Sequence, residues 1–246
     1  MDTKCRRYWI AEHAFVAWLP TATIFMNVRT NRYFAIGESE SRALSGVIHG
    51  WPDKSADAGA TGEARCNERQ QLICMLLKNG LITENRLNGK ACIEAPSIAD
   101  ARTGVGPDTD EHPPIHLRDV LRFAAATACA FIRLTLRSLH YTISLCTREP
   151  EREVHGSDSA TIGHVVRTVS KFRRIRAWSF GARNNCLLHA LSLRTYLAYH
   201  GISASWVFGV RMHPWAAHTW LQYGALVLDG SPEEVRFYTP ILVIPS

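Results

Sequence analysis

Three residues near the carboxyl terminus, Cys186, His218 and Asp229, have the types and the order of a Cys-His-Asp acyl-transfer site. In such a site a cysteine thiolate attacks a carbonyl carbon, an imidazole accepts and returns a proton, and a carboxylate orients the imidazole. The residues are separated by 32 and 11 positions, so the fold must bring different elements together. The sequence around each residue predicts which elements these are.

Cys186 is predicted to lie in the first turn of a helix. Asn184 and Asn185 precede it and are favourable N-cap residues, and Gly201 is a typical helix terminator. Up to His200, helical spacing is shared by four apolar residues: Leu187, Ala190, Leu191 and Leu197. Free N–H groups and the positive end of the helix dipole stabilise a thiolate in this turn, as a nucleophilic cysteine requires.

His218 and Asp229 are predicted to lie on adjacent antiparallel strands. A strand over 202–210 is followed by a loop and then by strands over 218–222 and 225–229. If Tyr223 and Gly224 are the whole turn between the last two, His218 lies opposite Asp229 with Cβ atoms about 5 Å apart. The carboxylate would then fix the tautomer of the imidazole and stabilise its charged form.

Other residues compete for two of these roles. His189 lies three positions after Cys186, on a neighbouring helix face, and is an alternative base without an evident carboxylate partner. His213, in the loop before Pro214, is a weaker alternative. The oxyanion hole would use the backbone N–H of Cys186 and one further donor, for which there are three candidates: Asn184, Asn185 and Trp220.

The composition is that of a folded protein with enough residues for two small domains. Of the 246 residues, 46% are hydrophobic and 20% are charged, and the net charge is +6. This basic balance favours an acidic partner, such as nucleic acid, a membrane surface or an acidic peptide. The seven cysteines include no CxxC pair, so no zinc or thioredoxin site is predicted. Without a recognisable signal peptide, a cytoplasmic location is expected.

A long helix is predicted over 117–145, and another over 159–172. The apolar stripe of the first has six members: Leu121, Ala125, Ala128, Ile132, Leu139 and Ile143. Four arginines share an arc of the same helix: Arg118, Arg122, Arg133 and Arg137. This arc is either a solvated basic face or a docking face for an acidic peptide. The arginines interrupt the apolar run, so no membrane span is predicted.

The amino-terminal segment predicts strands followed by helices. The predicted elements are a hairpin of strands 23–28 and 32–36, helices over 38–48 and 63–78, and a terminal hairpin over 81–93 turning at Asn88-Gly89. This order indicates a winged-helix-like fold. Residues 96–114, which are rich in proline and include an acidic cluster, are predicted to be a linker. We therefore expect an α+β protein with domains over 1–95 and 115–246.

Several motifs follow one another in the second domain: Cys186-Leu187-Leu188, Leu191-Ser192-Leu193-Arg194, Gly201-Ile202, Gly209-Val210-Arg211, Ala217-His218-Thr219-Trp220 and Leu228-Asp229-Gly230. As an ordered set they closely resemble the maturation proteases (B proteins) of bacterial lasso peptide biosynthesis, which have a transglutaminase-like (papain-like) fold. The resemblance covers roughly residues 115–244. It implies that Cys186, His218 and Asp229 form the catalytic triad of that family.

Two segments of the first domain, Phe25-Met26-Asn27-Val28 and Arg32-Tyr33-Phe34-Ala35-Ile36, are similar to the leader-recognition domain of ribosomally made peptide pathways. Such domains bind a leader peptide as an added strand at an exposed sheet edge. The resemblance implies a cysteine peptidase that cleaves a lasso precursor between leader and core. It also implies that the core then passes to a separate asparagine-synthetase-like cyclase that uses ATP, and that hydrolysis itself needs no metal or cofactor.

Other functions fit parts of this pattern. The same triad supports transglutaminase-type amide formation, since fold and triad do not separate that reaction from hydrolysis. A non-catalytic peptide-binding scaffold would carry an inert triad. Nucleic-acid binding is suggested by the pI of about 9.1, but the predicted helix over 63–78 has few basic residues for a recognition helix.

Overall fold

The computed structural model describes residues 7–52, 62–92, 96–106, 113–147, 159–178 and 185–246. The chain divides into two compact units, residues 1–96 and 97–246, and each is described by itself. Both units mix helices with antiparallel strands. The predicted Asn184 lies outside the described residues.

In its described ranges, the first unit contains two small sheets and two α-helices. Its elements are β1 (Trp9–Ala11), β2 (Ala14–Trp18), β3 (Ala22–Asn27), β4 (Arg32–Gly37), α1 (Glu38–Ala43), α2 (Gly62–Lys78), β5 (Ile82–Thr83), a short 3₁₀ helix (Arg86–Asn88) and β6 (Gly89–Lys90). One antiparallel sheet has the order β2-β3-β4. The predicted hairpin is confirmed, because β3 and β4 pair from Ala22 opposite Gly37 to Asn27 opposite Arg32.

The predicted terminal hairpin is wrong. Strands β5 and β6 do not pair with each other, because β1 lies between them and pairs antiparallel with both. The helix predicted over 38–48 is shorter than expected, ending at Ala43 with Leu44 as its C-cap. Gly46 then adopts a left-handed conformation with φ of 72°, while Leu44, Val47 and Ile48 enter the core.

The second unit has five α-helices and a five-stranded sheet among its described residues. Its elements are β7 (Thr103–Gly104), α3 (Leu117–Leu136), α4 (Leu139–Cys146), α5 (Ser159–Trp178), α6 (Cys186–Ala198), β8 (Ser205–Arg211), β9 (Ala216–Tyr223), β10 (Leu226–Val227), α7 (Pro232–Val235) and β11 (Thr239–Ile244). The sheet order is β11-β8-β9-β10-β7. Helix α6 packs against α3, α5 and β9. The helix that begins with Cys186 therefore lies against a central strand of the sheet.

Part of the segment predicted as a linker belongs to this sheet. Strand β7 pairs parallel with β10 at the sheet edge. The Gln222 side-chain amide donates to the Ala99 carbonyl at 2.5 Å, and Arg236 Nε donates to the Ala101 carbonyl at 2.9 Å. The sequence analysis did not predict this edge strand, because so short a strand shows no alternation of apolar and polar residues. The proline, glycine and acidic residues around it favoured a linker instead.

The long helix predicted over 117–145 is two helices, α3 and α4. The chain is extended at Arg137, and the Ser138 side chain caps α4 by accepting the Tyr141 N–H. The buried face of α3 also differs from the predicted stripe. Ala126 and Ala130 are fully buried, whereas Leu121 and Ile132 on the predicted stripe are exposed. Within the described ranges, no helix is long and apolar enough to cross a membrane.

Candidate active site

Cys186 is the first residue of α6, as the sequence predicts. The Asn185 side chain caps the helix, its Oδ1 accepting the Leu188 N–H at 3.1 Å, and Gly201 follows the helix with φ of 71°. Cys186 is half-buried and its thiol is free. Cys186 therefore lies beside the free N–H groups of a helix start, where the sequence predicts it.

His218 lies on β9, opposite Gly209 of β8. Its ring stacks on Trp220 with centroids 6.1 Å apart, and a second aromatic ring, that of Tyr238, lies 5.5 Å away. A Cβ at Gly209 would come within 2.9 Å of Trp220 and Tyr238 atoms, so this close packing beside His218 requires glycine. Burial, with a smaller contribution from Arg211, lowers the pKa of His218 despite the opposing charge of Glu234. Its imidazole is therefore neutral at pH 7 and able to accept a proton.

The turn before Asp229 differs from the predicted turn by one residue at each end. Leu226 pairs with Tyr223 and Val227 with Gln222, so the turn consists of Gly224 and Ala225. Gly224 adopts φ of 57° and takes the first central position, where a positive φ favours glycine. The predicted pairing of His218 with Asp229 is therefore wrong: the observed register puts Asp229 level with Trp220, two residues along β9 from His218.

Asp229 is buried, with one carboxylate oxygen hydrogen-bonded and the other facing a histidine ring. Its Oδ1 accepts the Leu221 N–H at 2.5 Å, and its Oδ2 lies 3.8 Å from Nδ1 of His189. Burial raises the pKa of Asp229 to about 7, although the Leu221 hydrogen bond and the charges of Arg173 and Arg176 oppose the shift. The carboxyl group thus changes charge near neutral pH, which is typical of functional carboxyls.

His189 lies between Asp229 and a cation of α5. Nη1 of Arg176 is 2.9 Å from Nε2 of His189. A guanidinium only donates hydrogen bonds, so Nε2 is the acceptor and the ring proton is on Nδ1, facing Asp229. Burial, Arg176, Arg173 and His218 together lower the pKa of His189 to about 4, so this ring is neutral at pH 7.

Arg173 and Arg176 of α5 are functional candidates that the sequence analysis missed. The helix was predicted to end at residue 172, but it continues to Trp178, which carries Arg173 and Arg176 on one face at a spacing of three residues. Arg173 donates to the carbonyls of Val105 and Leu228, and so ties α5 to the residue before Asp229. The run of basic residues from Lys171 to Arg176 was the available clue.

The remaining candidates are placed as follows. The indole N–H of Trp220 donates to Gln222 Oε1 at 3.2 Å. This donor, a candidate for the oxyanion hole, therefore already has an acceptor. Asn185 uses its side-chain oxygen as the helix cap. His213 lies in the β8–β9 connection. Among the described residues, no group of three or more His, Cys, Asp and Glu side chains could hold a metal ion.

An apolar groove of about 550 Å³ lies next to the first turn of α6. Its walls come from α3, α5 and α6: Val120, Phe123, Ala124, Thr127, Ala128, Phe131, Ile175, Trp178 and Leu188. Leu188 belongs to the turn that begins with Cys186, whereas Trp178 ends α5 and is largely exposed. The first turn of α6 thus contributes to an apolar surface as well as carrying Cys186.

Comparison with known proteins identifies the family of this domain. No curated protein and no solved structure matches the chain. Residues 123–243 match the sequence model of the transglutaminase-like superfamily. The matched region runs from α3 to β11 and contains Cys186, His218 and Asp229. Residues 123–243 of this chain therefore form a transglutaminase-like domain.

Proposed function

We propose that the second unit is a cysteine peptidase with Cys186 as nucleophile, His218 as general base and Asp229 as the carboxylate that supports the charged imidazole. The observation that carries the proposal is that Cys186 starts a capped helix packed against the strand that bears His218. The superfamily match adds support, since its members are usually cysteine-based enzymes. His189 is a poorer base, because Arg176 occupies the lone pair of its Nε2.

The proposed reaction has two steps. His218 takes the proton of the Cys186 thiol, the resulting thiolate attacks the carbonyl carbon of the scissile bond, and His218 gives that proton to the leaving amine as the C–N bond breaks. Water then attacks the thioester, His218 takes a proton from that water and returns it to the departing sulfur as the C–S bond breaks, and the carboxylic acid product leaves. Asp229 assists in its ionised form, because a buried negative charge stabilises the imidazolium that forms in both steps.

The proposed substrate is the precursor of a lasso peptide, cleaved between leader and core in the cytoplasm. The resemblance of the ordered motifs around Cys186, His218 and Asp229 supports this substrate class. The released core amine would go to an asparagine-synthetase-like cyclase, which would be the component that uses ATP. The peptidase step requires only the side chains named above and water.

The test is mass spectrometry of purified full-length protein mixed with the precursor peptide encoded beside its gene. Hydrolysis yields two fragments whose masses add up to that of the precursor plus one water. Transglutaminase-type amide formation instead yields a new amide with loss of ammonia. If neither product forms, even with the neighbouring cyclase and ATP present, the protein is a peptide-binding scaffold and the proposed activity is wrong.

The first unit is proposed to be the leader-recognition domain, of winged-helix-like type. The support is strand β4, which pairs only with β3 among the described strands and has two exposed residues, Arg32 and Ala35. The outer edge of such a strand offers backbone N–H and C=O groups to a peptide that adds as a further strand.

Residues 1–96 expressed alone should therefore bind the leader peptide, because the added strand uses only β4 and its neighbours. Fluorescence anisotropy of a labelled leader measures the affinity, and a scrambled leader of the same composition is the control. Equal binding of the two peptides, or binding by residues 97–246 instead, would rule out this assignment.

A further inference from the structure

We propose that Arg176 and His189 are positioning residues for Asp229: Arg176 fixes His189 as its Nδ1–H tautomer, and His189 in turn holds the second carboxylate oxygen of Asp229. This inference rests on the proposed peptidase function of the same site. It assigns His189 a role other than that of the alternative base considered from the sequence. Neither residue would touch the substrate.

The geometry determines which nitrogen of His189 carries the proton. Because Arg176 Nη1 lies 2.9 Å from Nε2 and cannot accept a hydrogen bond, a proton on Nε2 would face a cationic donor. The Nδ1–H tautomer avoids this conflict and directs its N–H towards Asp229 Oδ2, 3.8 Å away. This separation exceeds that of a hydrogen bond, and a shift of about 1 Å would close it, as happens when catalytic sites tighten around substrate.

Once that gap closes, Asp229 is held from two sides by donors that carry no net charge. The Leu221 N–H binds Oδ1 at 2.5 Å, and the neutral His189 ring faces Oδ2. A cationic His189 would pair with the carboxylate and weaken its interaction with the imidazolium of His218. The neutral ring orients the carboxylate and leaves its charge available.

The charged neighbours of His189 keep it in this neutral state. Arg173 and Arg176 approach from α5, and His218 lies on β9; all three oppose a positive charge on the ring, and burial acts in the same direction. Asp229 is the acidic group that faces it. The same two arginines favour the ionised form of Asp229, so one pair of cations keeps His189 neutral and promotes charge on the carboxyl group.

Two substitutions at His189 separate positioning from proton transfer. Glutamine can accept from Arg176 through Oε1 and donate to Asp229 through Nε2, but it cannot act as a base at neutral pH. Leucine has a similar size and makes neither hydrogen bond. We expect His189→Leu to lower kcat for precursor cleavage about 10–100-fold through misplacement of Asp229, and His189→Gln to restore most of that loss. His218→Gln should lose the full contribution of a general base, about 100-fold or more.

Nitrogen-15 NMR of histidine-labelled full-length protein tests the tautomer without any turnover. His189 should appear as the neutral Nδ1–H form from pH 5 to 8. In Arg176→Met, Nε2 is released, so the ring should lose this fixed tautomer and titrate closer to the ordinary histidine range. An Nε2–H tautomer in the unsubstituted protein would overturn the proposal.

The kinetic result has its own contradicting outcome. If His189→Gln is as inactive as His189→Leu while His218→Gln still cleaves, His189 is the base and the positioning role is wrong. If the unsubstituted protein cleaves nothing, the proposed function fails by itself. The tautomer and its dependence on Arg176 then still decide whether His189 holds Asp229.

Discussion

Full-length protein carrying Cys186→Ala should release no core peptide, with a loss of at least about 10⁴-fold in kcat, because the substitution removes the sulfur that forms the acyl-enzyme. Binding of the precursor should be unchanged, since the proposed leader contact lies on β4 of the first unit. The rate is measured by mass spectrometry of timed samples. Alanine fits the first turn of a helix well, so the fold should persist, which thermal unfolding checks.

Cys129→Ala is the matched control for this experiment. Cys129 is also a free, half-buried cysteine of the second unit, located on α3 rather than at a helix start. Its replacement should leave the cleavage rate within about twofold of that of the unsubstituted protein. A half-buried residue outside the proposed site is expected to have a small effect on stability and activity. Equal cleavage by Cys186→Ala and Cys129→Ala would show that another group is the nucleophile.

Local features of the site could be predicted from the sequence. The start and the end of α6 are specified within a short stretch of chain. Asn185 caps the start, the apolar periodicity begins after Cys186, and Gly201 ends the helix. The hairpin of β3 and β4 is another short-range feature, since its strands are joined by a few polar residues. In each case the interactions that decide the structure connect residues close in sequence, so the pattern contains them.

Long-range features could not be predicted in this way. Strand β1 pairs with β5 and β6 from the other end of the first unit, and no local pattern encodes that insertion. Leu121 on the predicted apolar stripe of α3 is exposed, whereas Ala126, which is not on that stripe, is buried, because small residues allow close helix packing that an apolar count does not foresee.

The neighbours of Asp229 show how a small register error changes a site. A turn at Gly224 and Ala225 instead of Tyr223 and Gly224 shifts the pairing by two residues and takes the carboxyl group out of register with His218. The structure brings it to His189 instead. The order of Cys186, His218 and Asp229 along the chain suggests the chemistry, but their contacts depend on turn geometry and on the length of α5.

Asp229→Asn should make the protein more stable at pH 8 while lowering cleavage at least about 100-fold. The carboxyl group has a pKa raised from 3.8 to about 7 in the folded protein by burial, so folding favours its protonated form. Its contribution to stability is complete below pH 4 and is lost as the pH rises through 7. An asparagine keeps the oxygen that accepts the Leu221 N–H and carries no charge, so it escapes the desolvation penalty of the carboxylate.

The gain in unfolding free energy should be about 1–4 kcal/mol at pH 8, since one pKa unit corresponds to about 1.4 kcal/mol, and it should shrink towards pH 5. Urea unfolding at several pH values measures it. Asp119→Asn is the matched control, because Asp119 also has little exposed surface but binds Lys171 at 3.0 Å and the His116 N–H at 3.0 Å. Burial alone would raise the pKa of Asp119, but these partners outweigh it and hold the pKa below 3.8.

Asp119→Asn should therefore lose about 1–3 kcal/mol at pH 8, a loss that diminishes only below pH 4, where the unsubstituted carboxyl also becomes protonated. The two substitutions should therefore change the unfolding free energy at pH 8 in opposite directions. That result would show that the charge of Asp119 stabilises the fold, whereas the charge of Asp229 destabilises it. A protein retains an unfavourable buried charge where function requires it. If Asp229→Asn is instead destabilising at pH 8, Asp229 is a structural carboxylate and its part in the proposed mechanism is lost.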